Sequence, residues 1–350
     1  MKYLILMLLP LFCIFVSCEK DDPTNTDTGY SKGIFIVNEG SYNANNGSIS
    51  HMKNETSEVE NYIFDAVNGR SAGDILQSFS VANDTLGILV VNNSAKIEIV
   101  NLKTFAVIKE PLPIEYPRYF IQADAGKGYV SAGRMQGYLH VINLSTLTET
   151  DSIKVGYGPE IMVKSGNDVL VANSGGWASD STVYVVDPVS DAITDTFYTE
   201  KCPVDMALDN EGNIWVYCKG YTNYTDIETG SFLQKIDAST GNVLWQQQVG
   251  TALDYSSTPA KLAISDDGNS MYYLRPDGIY KLNPASPVIA GAPFLTGNFY
   301  GVDVNPENGH VYVFESVFSG SGTMKIVDST GNIIKEVSVG IGPSSAIFRL

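Results

Sequence analysis

The chain has 350 residues, of which 44% are apolar and only 17% charged, with 32 glycines and 20 tyrosines. That composition favours many short strands joined by tight turns and argues against a helical protein. A formal net charge of −17 repels a phosphate backbone and argues against nucleic acid as a partner.

The amino terminus reads as a targeting segment. Met1-Lys2 gives a positive start, Leu4 to Val16 an apolar run, and Phe15-Val16-Ser17-Cys18 its end. This pattern resembles a bacterial lipoprotein signal, and the run is too short to span a bilayer. It predicts a signal peptide over 1–17, lipidation at Cys18, and a flexible tether over 18–32 that is polar and turn-rich from Pro23 to Ser31. Glu19-Lys20-Asp21-Asp22 resembles the acidic export signal of Bacteroidetes-type surface lipoproteins, which implies the outer face of the outer membrane.

From residue 33 onward the chain repeats, and 33–350 is expected to form one domain. The clearest unit is Asp151 to Asp187, which contains four strands, a Gly-Pro turn, a strand ending in Asn, a Gly-rich loop and a strand ending in Asp. Pro117, Pro159 and Pro203 lie 42 and 44 residues apart, Pro259 follows 56 later and Pro343 a further 84. Gly301 marks the missing midpoint and Ile75 the step before Pro117. A proline is tolerated at the first residue of a strand, where no ladder donor is yet needed.

The units from Ile75, Tyr119, Val204, Ala260 and Phe299 read the same way, the one from Ala260 ending in a weak strand around Pro287 to Pro293. The Val204 unit carries an insertion, GYTNYTDIETGS, between its second and third strands. The ends complete each other: GIFIVN, GSISHMK and EVENYIF supply three strands at the start, and SSAIFRL supplies one at the end. Joining them predicts an all-β, seven-bladed β-propeller of four-stranded blades, the first closed by the carboxyl-terminal strand, with no free sheet edges.

The Gly-x-x-Pro turn and the strand ends in Asn and Asp, carried best by Val155 to Asp187, resemble the YVTN-type, YncE-like propeller repeat. The amino-terminal signal followed by FIVNEGSYNANNGSIS resembles the BtuG-type surface lipoproteins. That resemblance implies capture of a corrinoid such as vitamin B12 and its transfer to a TonB-dependent outer-membrane transporter. A glycan-binding role and a protein-interaction scaffold are the alternatives.

In a propeller, the turns leading into the inner strands and the loops after the second strands share one mouth, where binding groups gather. The first set offers Tyr116, Arg118, Tyr157, Glu160, Asp205, Lys261, Tyr300 and Asp303. The second offers Asn38, Glu39, Tyr42, Asn92, Asn93, Arg134, Gln136, Asn173, Trp177, Lys219, Tyr221, Tyr224, Arg275, Asp277 and Glu315. Tyrosine and tryptophan give rigid contact area with a polar handle, suited to a flat amide-rimmed molecule or a sugar. Trp177, in the Gly/Ser loop NSGGWASDS, is the strongest single candidate, and the inserted loop with Tyr221 and Tyr224 is second.

No catalytic residue, cofactor or metal is expected. His51, His140 and His310 lie in separate blades, with no ligand or triad spacing. One enzymatic reading stays open, a lactonase-like axial cation on oxygens from Glu39, Asn92, Asn173, Asp205, Asp303 and Glu315. Cys202 and Cys218 flank a hairpin at Asn210-Glu211-Gly212 and are expected as a cross-strand disulfide, with two buried thiols as the alternative.

Overall fold

The computed structural model describes residues 29–222, 229–253 and 259–350. Seven antiparallel sheets follow one another around a ring. Blade 3 shows the pattern, with strands Pro117–Gln122, Lys127–Ala132, Gln136–Asn143 and Thr148–Tyr157 running from the axis outward. Blade 1 joins the two ends of the chain, Pro343–Arg349 pairing as the inner strand with Gly33–Asn38, which pairs with Ser48–Met52. The chain is a seven-bladed β-propeller closed by its last strand, as the repeat predicts.

The prolines hold the register. Pro117, Pro159, Pro203 and Pro343 are each the first residue of an inner strand, and Gly301 fills that position in blade 7. The residue before each proline is left-handed: Tyr116 (φ 51°), Gly158 (54°), Cys202 (59°) and Gly342 (64°). Two of these four are not glycine, so backbone strain is held at the mouth of the ring. A recurring bond supports these turns, since the amide after the second strand donates to the left-handed residue's carbonyl. Ser174 N reaches Gly158 O at 2.9 Å, Lys219 N reaches Cys202 O at 2.9 Å, and Asn92 N reaches Ile75 O at 2.8 Å.

Among the described residues, one apolar cluster lies at each of the seven blade boundaries. Successive side chains of a second strand point to opposite neighbours. In blade 7, Tyr312 and Phe314 enter the cluster shared with blade 1, while Val311 and Val313 enter the one shared with blade 6. Both faces of that strand are buried, which is why it reads as a continuous apolar run. No blade buries its faces alone.

Three outer strands differ from expectation. EVENYIF is not a strand: Glu60 makes a single bridge to His51, Tyr62 turns left-handed, and a short helix Ile63–Asn68 carries Ile63 and Phe64 into the core between blades 1 and 2. In blade 6 the outer strand is Leu295–Thr296, beyond Pro287 and Pro293, which lack ladder donors. In blade 2 it shrinks to Leu112–Pro113 plus a bridge from Val107 to Val100. The insertion in blade 5 lies where expected, between Ile214–Cys218 and Ser231–Ile236.

Candidate functional site

The inner strands all run away from one face, so their lead-in turns and the loops after the second strands ring the same mouth. A cavity of about 280 Å³ opens there on the axis. Glu39, Gln77, Arg118, Tyr119, Glu160, Lys261 and Tyr300 supply its polar wall, and Ile75, Val204, Leu253 and Ala260 much of the apolar part. Arg118, Glu160 and Lys261 each sit one residue into an inner strand or its approach, so the repeat itself turns them toward the axis.

The wall is a connected network. Arg118 Nε donates to Glu160 Oε2 at 2.8 Å, and its Nη1 bonds Gln77 Oε1. Tyr300 OH donates to Glu39 Oε2 at 3.0 Å. Lys261 Nζ donates to Tyr119 OH at 3.0 Å and stands 5.3 Å from that ring's centre. No carboxylate lies within ion-pair distance of this ammonium among the described residues, so donor capacity remains on Lys261. Deeper in, Asp205 accepts from Leu262 N at 3.0 Å and Asp303 from Ala346 N at 2.7 Å, each tying its blade to the next inner strand.

Burial shifts these groups. It pushes the carboxyls of Glu39 and Asp205 up, against the pull of Tyr300 and Arg118 on the former and Lys261 on the latter. Asp303 is pushed up to about 7 by burial, against the Ala346 amide and Lys261. Tyr300 rises well above its ordinary range through burial and the neighbouring Glu39. Burial opposes charge on Lys261 and Arg118, but Tyr119 and Asp205 on one, and Glu160 on the other, outweigh it and raise both. The funnel thus presents two firm cations beside carboxyls on which burial disfavours charge, a mixture of donors and acceptors.

The expected residues divide. Glu39, Arg118, Glu160, Lys219, Lys261 and Tyr300 line the funnel. Tyr42, Tyr157 and Trp177 are exposed and do not belong to the cavity lining, and Arg134 lies against Tyr116 and Trp177. Arg275 stacks 4.3 Å over Tyr280 beside Asp277 on the blade 6 hairpin, away from the cavity. Tyr221 is held through its amide to Thr229 Oγ1, also outside the cavity. Tyr224 and Cys18 lie outside the described residues.

The side-chain amides of Asn38, Asn92 and Asn173 are bonded into the scaffold. Asn38 is fully buried and donates to Ser50 Oγ at 2.9 Å, Asn92 donates to Pro117 O at 2.9 Å, and Asn173 to Thr182 Oγ1 at 3.1 Å. Asn173 and Asn38 also lie against Gly156 and Gly340 of neighbouring strands, where a Cβ would come within 2.5 and 2.6 Å of their side chains. Strand-end asparagine is therefore a structural part of the repeat. Asn93 is spent on Asp74, and Glu315 on Lys325 at 2.6 Å. Asp205 and Asp303 accept backbone amides, and of the oxygens named for an axial cation those of Glu39 alone belong to the cavity lining. Among the described residues no group of three His, Cys, Asp or Glu could hold a metal ion.

Cys202 and Cys218 are buried free thiols, not the bonded pair expected. The register places Pro203 opposite Cys218, with Cys202 one residue outside the ladder in its left-handed turn. Gln77 and Tyr119, not singled out from the sequence, belong to the funnel. The repeat register held their signal: Tyr119 follows Arg118 in the strand led by Pro117, and Gln77 lies two residues beyond Ile75.

Comparison with known proteins agrees with the ring. A quinoprotein alcohol dehydrogenase-like protein from Bacteroides thetaiotaomicron superposes with a TM-score of 0.66 at 17% identity, over 92% of this chain and 79% of that one. Hydrazine synthase of Kuenenia stuttgartiensis superposes with a TM-score of 0.57 at 14% identity, over 76% and 87%. At such identities the likeness is one of fold alone. No curated protein matches the chain. Residues 32–348 match a family described as a domain of unknown function, DUF5074, and the chain belongs to that family.

Proposed function

We propose that this propeller is a non-enzymatic, lipid-anchored surface protein that captures a small molecule at its funnel mouth. The observation that carries the reading is Lys261, a deep ammonium with unused donors in a cavity that also offers Glu39, Glu160 and Tyr300. Alternating donors and acceptors suit a carboxamide or hydroxyl group, which needs both, better than a bare anion. The cavity, about 280 Å³, sits at the lower edge of the range for small-molecule sites, roughly 300–1,000 Å³. It therefore takes one arm of a ligand whose body lies across the rim. A corrinoid, flat and amide-rimmed, is the candidate that the sequence resemblance supplies, with a TonB-dependent transporter as receiver.

Chain direction supports the placement. Tyr30 N bonds Lys103 O on a hairpin between third and outer strands, and Gly33 begins its strand at that same end. Tyr30 and Gly33 thus lie at the face opposite the funnel, which suits an anchor at Cys18 with the mouth turned away from the membrane. No described helix is long and apolar enough to cross a bilayer.

Calorimetry with cyanocobalamin tests the reading. Heat of binding is expected for the native protein, with affinity reduced about tenfold or more in Lys261→Met, since a bond to a charged donor is lost. Absence of heat at micromolar protein removes the corrinoid, and unchanged affinity in Lys261→Met removes the funnel.

A further inference from the structure

A second groove, of about 590 Å³, opens on the same face beside blades 2 to 4, with Tyr116, Arg134, Met135, Tyr138, His140 and Trp177 among its walls. The Arg134 guanidinium lies 3.7 Å from the Tyr116 ring centre and 4.4 Å from that of Trp177. Stacking of this kind fixes the plane of the guanidinium and leaves its N–H edge free. Among the described residues nothing accepts a hydrogen bond from it and no carboxylate pairs with it, so its five donors remain available in the groove.

The tryptophan wall is built, although Trp177 is 67% exposed. Ser174 N donates to Gly158 O at 2.9 Å, Gly175 N to Tyr157 O at 2.7 Å, and Trp177 N to the Arg134 carbonyl at 3.1 Å. Gly176, at φ 58°, lies so close that a Cβ would collide with the Arg134 carbonyl. The loop is thus clamped to blade 3, and the indole is presented on rigid backbone. Tyr138 and Met135, 38% and 48% exposed, extend the apolar wall. Exposed Glu115 is the groove's one carboxylate, and His140 is held by Glu149 through Nδ1 at 2.7 Å.

We infer that this groove is a second binding site, for a carboxylate carried on a six-membered ring. The carboxylate takes the open fork of Arg134 in bidentate geometry, and the ring lies against Trp177 and Tyr138. In a protein with a net charge of −17, an arginine with no carboxylate partner among the described residues, set against two rings, is the feature that sets this groove apart. A saccharide acid and an aromatic acid share the required chemistry.

The test uses galacturonate and benzoate as probes, each beside its neutral counterpart, galactose or benzamide. Trp177 reports, because Trp215 is buried and packs against Trp245 at 5.4 Å. At least one acid is expected to change the native protein's emission saturably, and which one does so separates the two sources. Replacing the fork should weaken binding about tenfold or more in Arg134→Gln and less in Arg134→Lys, which keeps charge without geometry. Trp177→Phe should remove the signal, while calorimetry still detects weakened binding. Lys261→Met should leave this binding unchanged, which separates it from the funnel. The inference is overturned if neither acid binds at millimolar concentration, if a neutral counterpart binds equally well, if Arg134→Gln has no effect, or if Lys261→Met abolishes the binding.

Discussion

Asp303→Asn isolates the electrostatic cost of the ring's closure. The Asp303 carboxyl, pushed up to about 7 from an ordinary 3.8, accepts the Ala346 amide of the closing strand at 2.7 Å. Asparagine keeps an acceptor for that amide and never ionises. Between those two values the folded carboxyl retains a proton that the unfolded one has lost. Its contribution to stability is therefore full below pH 3.8 and is lost as pH rises through 7. Relative to a neutral residue, this carboxyl costs about 2 kcal/mol at about pH 5.5, where folding takes up a proton, and about 4 kcal/mol at about pH 8.5, where the buried group is charged. Urea unfolding of both proteins at the two pH values reads the difference, so any fixed effect of the substitution cancels. Asp303→Asn is expected to gain about 2 kcal/mol more at the higher pH. An equal difference at both values, or a relative loss at the higher one, refutes the buried neutral carboxyl.

Other consequences follow from single features. Removing Pro343–Leu350 strips blade 1 of its inner strand and opens the ring, so the protein should lose its cooperative unfolding transition by circular dichroism. Phe314→Ala empties a fully buried position between blades 7 and 1 and should cost about 3–5 kcal/mol in denaturant unfolding. Cys202 and Cys218, whose thiols burial pushes up, should resist alkylation in the native protein and both react in urea. A mass two hydrogens lighter without reductant would show a disulfide instead.

The architecture was readable because propeller physics writes itself into the chain. Second strands buried on both faces became apolar runs, and the first position of four of the seven inner strands accepted proline, so blade count and closure followed. The outer strands were less readable. They carry few buried residues, and EVENYIF has strand-like composition, yet Ile63 and Phe64 find their core through a helix. The site was half legible. Glu39, Arg118, Lys261 and Tyr300 belong to the expected mouth, whereas Asn38 and Asn173 are buried and donate within their own blades. Polar residues at strand ends serve turns and ligands alike, and sequence position does not separate the two uses. The same holds below the ring, where Asp187, Asp237 and Asp328 accept amides two residues on, at 2.9, 2.8 and 2.8 Å, to shape hairpins.

Amide hydrogen exchange in the presence of saturating cyanocobalamin tests the capture reading most directly. Protection should rise in the turns around Ile75–Gln77, Tyr116–Tyr119 and Tyr300–Asp303, which converge on the axis from separate blades. Exchange unaltered everywhere, or slowed only in hairpins on the opposite face such as Asp187–Asp191, would contradict it.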